Sequence, residues 1–200
     1  MSFVSIIATE KVLSVMSDGR VNNEGIVLQE DYQKFTVLGD NEGFVAITGA
    51  KEAGEKAIEF VKHFHQEGYS YLVAAQEVQK VLIRDIPHSV YPHLTLNMAI
   101  GGLVNGQIEF HTLSNKNESV QDILSFVPKG DDISYAKLES TEITRLGIDL
   151  TPVLIELLRQ KGFATIKQLK EVQSLLNDYV AKVDKTVNTT TFHFSVEKLL

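Results

Sequence analysis

Ser2-Phe3-Val4-Ser5-Ile6-Ile7-Ala8-Thr9-Glu10-Lys11-Val12-Leu13-Ser14-Val15-Met16-Ser17-Asp18-Gly19-Arg20 opens the chain and decides its class. The runs Phe3 to Ala8 and Val12 to Met16 are short, apolar and rich in Val and Ile. They read as two strands with a hairpin tip at Glu10-Lys11. Asp18-Gly19-Arg20 carries turn chemistry and ends the second strand. Working outward, Ile26-Val27-Leu28 and Phe35-Thr36-Val37-Leu38 are the next strands, split by the polar stretch Glu30 to Lys34. Asn41-Glu42-Gly43 then turns into Phe44 to Thr48. Short strands with tight connections predict an antiparallel meander.

The period changes at Gly49. Ala53, Ala57, Ile58, Val61 and Phe64 recur at spacings of three and four, which predicts an amphipathic helix to about Gln66, closed by Gly68. Leu72, Ala75, Val78, Val81 and Leu82 predict a second helix that stops before Pro87. Leu94 to Ile100 and Gln107 to Leu113 read as strands joined through Gly101 to Gly106, with Asn105-Gly106 as the hairpin signal. Ile133 to Leu138 is expected to add a strand to this second sheet. Thr151-Pro152 reads as an N-cap followed by Pro at the first helical position. Thr165-Ile166-Lys167-Gln168 fits a capping box that opens a helix through Val180. Thr189 to Val196 reads as a closing strand.

Strands, two helices, strands, two helices and a strand make an α+β order. Sheets that carry helices on their outer faces pack on each other as a four-layer αββα sandwich of two antiparallel sheets between helical layers. No linker, repeat or low-complexity tract interrupts the chain, so residues 1–200 are read as one domain. With 44% hydrophobic residues the chain has enough apolar surface for a core, which excludes disorder. It has no cysteine, so disulfides and thiolate chemistry are excluded. A net charge of −7, without a Lys/Arg block, argues against nucleic acid as a partner. The opening apolar run is too short for a signal peptide or a membrane span, and a cytoplasmic protein without membrane contact is expected. His63 and His65, two apart on a helix, diverge, and the other histidines lack zinc-like spacing. Gly101-Gly102 is followed by no helix and makes no phosphate loop. No metal and no cofactor are expected.

Asp18 lies sixteen residues beyond Ser2, and Lys34 sixteen beyond Asp18. With the glycine turn Ile47-Thr48-Gly49-Ala50 before the first helix, this spacing resembles the proteasome-like branch of the N-terminal-nucleophile (Ntn) hydrolases. Proteasome β subunits and the bacterial two-component ATP-dependent peptidase place an N-terminal Thr, an Asp and a Lys in this way. The likeness continues through both helices, the Gly101-Gly102 strand pair and Thr191-Phe192-His193-Phe194. Two segments depart from the pattern. Ile133 to Ser140 lacks the Gly-Ser-Gly turn of active relatives, and Asp184-Lys185-Thr186-Val187-Asn188 only partly matches their Asp and Ser loop.

The resemblance implies that Met1 is removed and that Ser2 is the nucleophile. A free α-amino group, with a pKa of about 7.7–8.0, would take the Ser2 proton. Lys34 would stabilise the developing alkoxide, Asp18 would hold Lys34 charged, and the Gly49 N–H would bind the oxyanion. The implied activity is a peptidase or amidase that cleaves peptide or small amide substrates, assembles as a homo-oligomer and has an ATPase as candidate regulator. Two other readings stay open: a catalytically inactive Ntn-fold scaffold or binding module, and a free-standing amidase for a small acylated metabolite.

Overall fold

The computed structural model describes residues 3–23, 26–139 and 141–198. Strands β1 (Val4–Ala8) and β2 (Val12–Asp18) form the predicted hairpin. They are flanked by β10 (Ser134–Leu138) and β11 (Thr191–Glu197), in the order β10-β1-β2-β11. A second sheet orders β5 (Phe35–Leu38), β6 (Gly43–Gly49), β7 (Leu96–Val104), β8 (Gln107–Ser114) and β9 (Leu124–Phe126). Both sheets are antiparallel throughout. Helices α1 (Lys51–Gln66) and α2 (Tyr71–Asp85) cover one outer face, and α4 (Thr151–Lys161) and α5 (Ile166–Val183) the other; a short α3 (Thr141–Leu146) precedes α4.

Alternation within β1 shows how the layers are written. Val4, Ile6 and Ala8 enter the space between the sheets, where they meet Phe44, Phe110 and Phe194. Phe3 and Ile7 point the other way and pack under α4 and α5 with Met16, Leu154, Leu169 and Leu176. Every residue of β1 and β2 is buried, which is why both strands read as nearly continuous apolar runs. On the far side, Val45, Ile47, Met98 and Ile100 support Ile58, Val61, Ala75 and Val78 of α1 and α2. Phe194 of one sheet meets Phe35 and Phe44 of the other, with ring centroids 6.4 Å apart in both pairs. The chain is thus an α+β, four-layer αββα sandwich, as expected.

One buried amide ties a helix to the first sheet. Gln173 of α5 donates to the carbonyls of Ser5 at 2.9 Å and Ser14 at 3.1 Å, and accepts from Ser14 Oγ at 2.6 Å. It fixes α5 along β1 and β2, because leaving these buried groups unpaired would cost about 1–3 kcal/mol each.

Several local expectations are corrected. The first strands are not one meander: β1 and β2 belong to one sheet and β5 and β6 to the other. Between them β3 (Val21–Asn23) and β4 (Ile26–Gln29) form a separate two-stranded ribbon. Gly101-Gly102 does not join two strands but lies within β7, which runs on to a turn at Asn105-Gly106 with φ of 50° and 76°. A Cβ on Gly101 would come within 2.4 Å of the Glu109 carbonyl, and one on Gly102 within 2.1 Å of that of Glu42, so the backbone of the adjacent strands passes too close for any side chain there. β10 pairs with β1 and not with the second sheet, since Val4 lies opposite Leu138. The α4 N-cap is Leu150, with Thr151 already helical; the Thr165 capping box is present as predicted. Among the described residues no helix is long and apolar enough to cross a membrane.

Candidate active site

Asp18 closes β2 and Lys34 stands one residue before β5, so the two sheets bring them together at one end of the sandwich. Asp18 is fully buried and Lys34 is 2% exposed. Their side chains form an ion pair between Lys34 Nζ and Asp18 Oδ1. Lys34 Nζ also donates to the Asp18 carbonyl at 3.0 Å. Asp18 Oδ1 accepts the main-chain N–H of Phe3 at 2.7 Å, and Oδ2 that of Arg20 at 2.9 Å. The carboxylate is therefore charge-assisted on both oxygens, which offsets much of its desolvation. The backbone of Lys34 is tied as well: its N–H donates to Ser17 Oγ at 3.4 Å and its carbonyl accepts from Ile47 N at 2.9 Å. Burial pulls the Lys34 ammonium down to about 8, with Asp18 opposing the shift.

The loop before β11 braces the Asp18 turn. Asn188, 8% exposed, accepts from Gly19 N at 2.9 Å through Oδ1. Its Nδ2 donates to the Glu30 carbonyl at 2.9 Å and to Glu30 Oε2 at 2.6 Å. Arg20 meets Glu30 with two hydrogen bonds of 2.9 and 3.0 Å and donates to the Lys185 carbonyl at 2.7 Å. That guanidinium holds the Glu30 carboxyl below its ordinary range. Asp184 Oδ1 accepts from Thr186 N and Oγ1 and shapes the loop itself. The segment from Asp184 to Asn188 thus braces the Asp18 turn with its own side chains. Asn188 and Glu30 were missed as site residues because their partners lie 158 to 169 residues away in the chain.

Lys34 and Gly49 both line one cleft of about 500 Å³, whose walls include Val21, Leu28, Ile47 and Ala53. This size suits a small ligand or one side chain of a larger one. Tyr32 forms a further wall: its hydroxyl donates to Glu55 Oε1 at 3.0 Å, and the Lys51 ammonium lies 4.4 Å from its ring centroid. Burial and the neighbouring Glu55 carboxylate push the Tyr32 phenol up to about 12, so it stays a donor. Gly49 has φ of 102°, and a Cβ there would lie 1.9 Å from the Thr95 carbonyl, which already accepts Ala50 N at 2.8 Å.

Of the four residues expected at the site, Asp18, Lys34 and Gly49 converge at this end of the sandwich. Ser2 lies outside the described residues. Phe3, bonded to Asp18, is the residue that follows it in the chain.

No family model matches the sequence, and no curated protein matches it. Solved structures do. Eukaryotic HslV from Trypanosoma brucei superposes with a TM-score of 0.67 at 14% identity, covering 98% of this chain and 99% of that one. Anbu, an ancestral β-subunit, from Yersinia bercovieri gives 0.70 at 10% identity over 98% of this chain and 81% of its own. A mutant Anbu from Hyphomicrobium sp. strain MC1 gives 0.69 at 12% identity, with 98% and 82% covered. At these identities the likeness is one of fold.

Proposed function

We propose that this chain, which has the proteasome-like Ntn fold, is an N-terminal-nucleophile hydrolase that cleaves peptide or other amide bonds with Ser2 after Met1 is removed. The observation that carries the reading is the buried Asp18–Lys34 pair, bonded to Phe3 and opening through Lys34 onto a cleft. A scaffold has no need of a buried ammonium, because a well-packed apolar pair would be as stable or more so.

In this reading the α-amino group of Ser2 accepts the hydroxyl proton as Oγ bonds to the substrate carbonyl carbon. Lys34, with its proton affinity lowered by burial, stabilises the oxygen that forms the bond. The Gly49 N–H receives the oxyanion. The C–N bond then breaks, the amine leaves with the transferred proton, and water hydrolyses the Ser2 ester to release the acid. Asp18 is a positioning residue: it holds Lys34 and the backbone of Phe3 together.

The test is intact mass spectrometry of untagged protein before and after a β-lactone probe. Loss of one Met and a one-to-one adduct on the Ser2 peptide is the expected result. Retention of Met1 together with no adduct overturns the reading.

A second reading, a catalytically inactive scaffold or binding module, is favoured by one observation. The β3–β4 ribbon exposes Ile26 at 67% and Leu28 at 63%, with Val27 between them also exposed. Three consecutive exposed apolar residues on a separate two-stranded ribbon suit burial against a binding partner. Adduct formation separates the two.

A further inference from the structure

The end of β8 contains a buried side chain that the chemistry above does not use. Asn115 follows β8 directly and is 1% exposed. Its N–H continues the strand ladder by donating to the Leu96 carbonyl at 3.1 Å. An antiparallel pair of this kind normally returns a bond from Leu96 N to the partner carbonyl. Here the Asn115 carbonyl has turned away and accepts from His88 N at 3.0 Å. The side-chain Oδ1 takes its place and accepts Leu96 N at 2.9 Å. Meanwhile Nδ2 donates to the carbonyls of Leu94 at 2.8 Å and Ile86 at 3.0 Å. Asn115 therefore grips the chain on both sides of Thr95.

Thr95 is the residue on which the Gly49 turn rests. Gly49 faces Leu96 in the β6–β7 register, and the Thr95 carbonyl accepts Ala50 N at 2.8 Å. The same carbonyl lies so close that Gly49 has no room for a Cβ. Any shift of Thr95 thus moves the Gly49–Ala50 peptide. We propose that Asn115 is the positioning residue for this turn, holding Thr95 and through it the Gly49 N–H that faces the reacting carbonyl oxygen. The inference rests on the hydrolase reading for its role, and on hydrogen bonds alone for the clamp itself.

The experiment is residue-resolved amide exchange by NMR on the whole chain, wild type against Asn115→Ala. Ala50 exchange is expected to rise about fivefold, the worth of one net hydrogen bond, with Ile6 and Val15 unchanged. An unchanged Ala50, or an equal rise at all three amides, overturns the clamp. Should N115A not fold, Asn115→Asp serves. It keeps the acceptor for Leu96 N but offers Leu94 and Ile86 no donor, so Ala50 is expected to exchange faster while Leu96 stays protected. Saturation kinetics of β-lactone labelling give the second readout. In N115A the maximal labelling rate is expected to fall with half-saturation unchanged; a change in half-saturation alone overturns the positioning role. A wild-type protein without any adduct refutes the hydrolase reading and with it the role in catalysis, while exchange still decides the clamp.

Discussion

Lys34 and Asp18 form an ion pair that is almost wholly withdrawn from water, and the same Asp18 oxygen receives the N–H of Phe3 at 2.7 Å. One carboxylate thus joins the first strand, the end of the second and the approach to the fifth. Removing either partner leaves an uncompensated buried charge. Asp18→Asn or Lys34→Met alone is expected to cost about 3–5 kcal/mol in urea unfolding. The double variant is expected to recover part of that loss, giving a coupling energy that a surface pair would not show. β-Lactone labelling is expected to be lost in all three.

The proton of Lys34 gives this pair a pH signature. Its value in the fold, about 8, lies below its ordinary 10.5. Below pH 8 the proton is bound in both folded and unfolded chains, and the burial penalty is fully present. Between the two values the unfolded chain holds more protons, so stability rises with pH. The gap corresponds to about 3 kcal/mol. Unfolding of wild type relative to D18N/K34M is expected to show this gain between pH 8 and 10.5. A flat difference across that window would refute it.

Gly49 is expected to be replaceable by no other residue. With φ of 102° and a prospective Cβ 1.9 Å from the Thr95 carbonyl, Gly49→Ala combines backbone strain with a main-chain clash. The strain alone costs about 1–3 kcal/mol. Labelling of Ser2 is expected to fall below detection while circular dichroism keeps the wild-type shape. Wild-type labelling by G49A would remove Gly49 from the site.

Asn188 braces the Asp18 turn from the other side of the chain. Asn188→Ala withdraws the acceptor of Gly19 N and two donations to Glu30 at once. A loss of about 1–3 kcal/mol is expected, with Asn188→Asp failing to restore it because a carboxylate would face the Glu30 carboxylate at the position of Nδ2. Thermal unfolding of both variants checks this.

Asp18, Lys34 and Gly49 were legible because spacing along short strands survives into the fold: each lies at the end of a strand or just before one, and strand ends gather at one edge of a sandwich. β1 and β2 were legible from their runs of Val and Ile. The sheet that β10 joins was not, since Ser134 to Leu138 can pair with either sheet on pattern alone and only the long-range match of Val4 to Leu138 decides it. β9 was hidden because Leu124-Ser125-Phe126 is too short to show a period. Asn115, Asn188 and Glu30 carry no local signal: a polar residue in a loop looks the same whether it faces solvent or closes a distant hydrogen-bond network.

The β3–β4 ribbon yields the remaining prediction. Ile26, Val27 and Leu28 are all exposed, so neither face of β4 is covered by its own chain. Leu28 also lines the cleft, whereas Ile26 and Val27 are not among its walls. A charge at Ile26 or Val27 therefore tests association without altering the cleft. If the ribbon seats a second subunit, Ile26→Glu and Val27→Glu are expected to lower the sedimentation coefficient of the native protein, since a carboxylate cannot be buried against an apolar partner without a cation to meet it. The ribbon has no core of its own, so unfolding free energies are expected to stay within about 0.5 kcal/mol of wild type. Should sedimentation remain that of wild type in both variants, the ribbon is not a surface through which this chain associates.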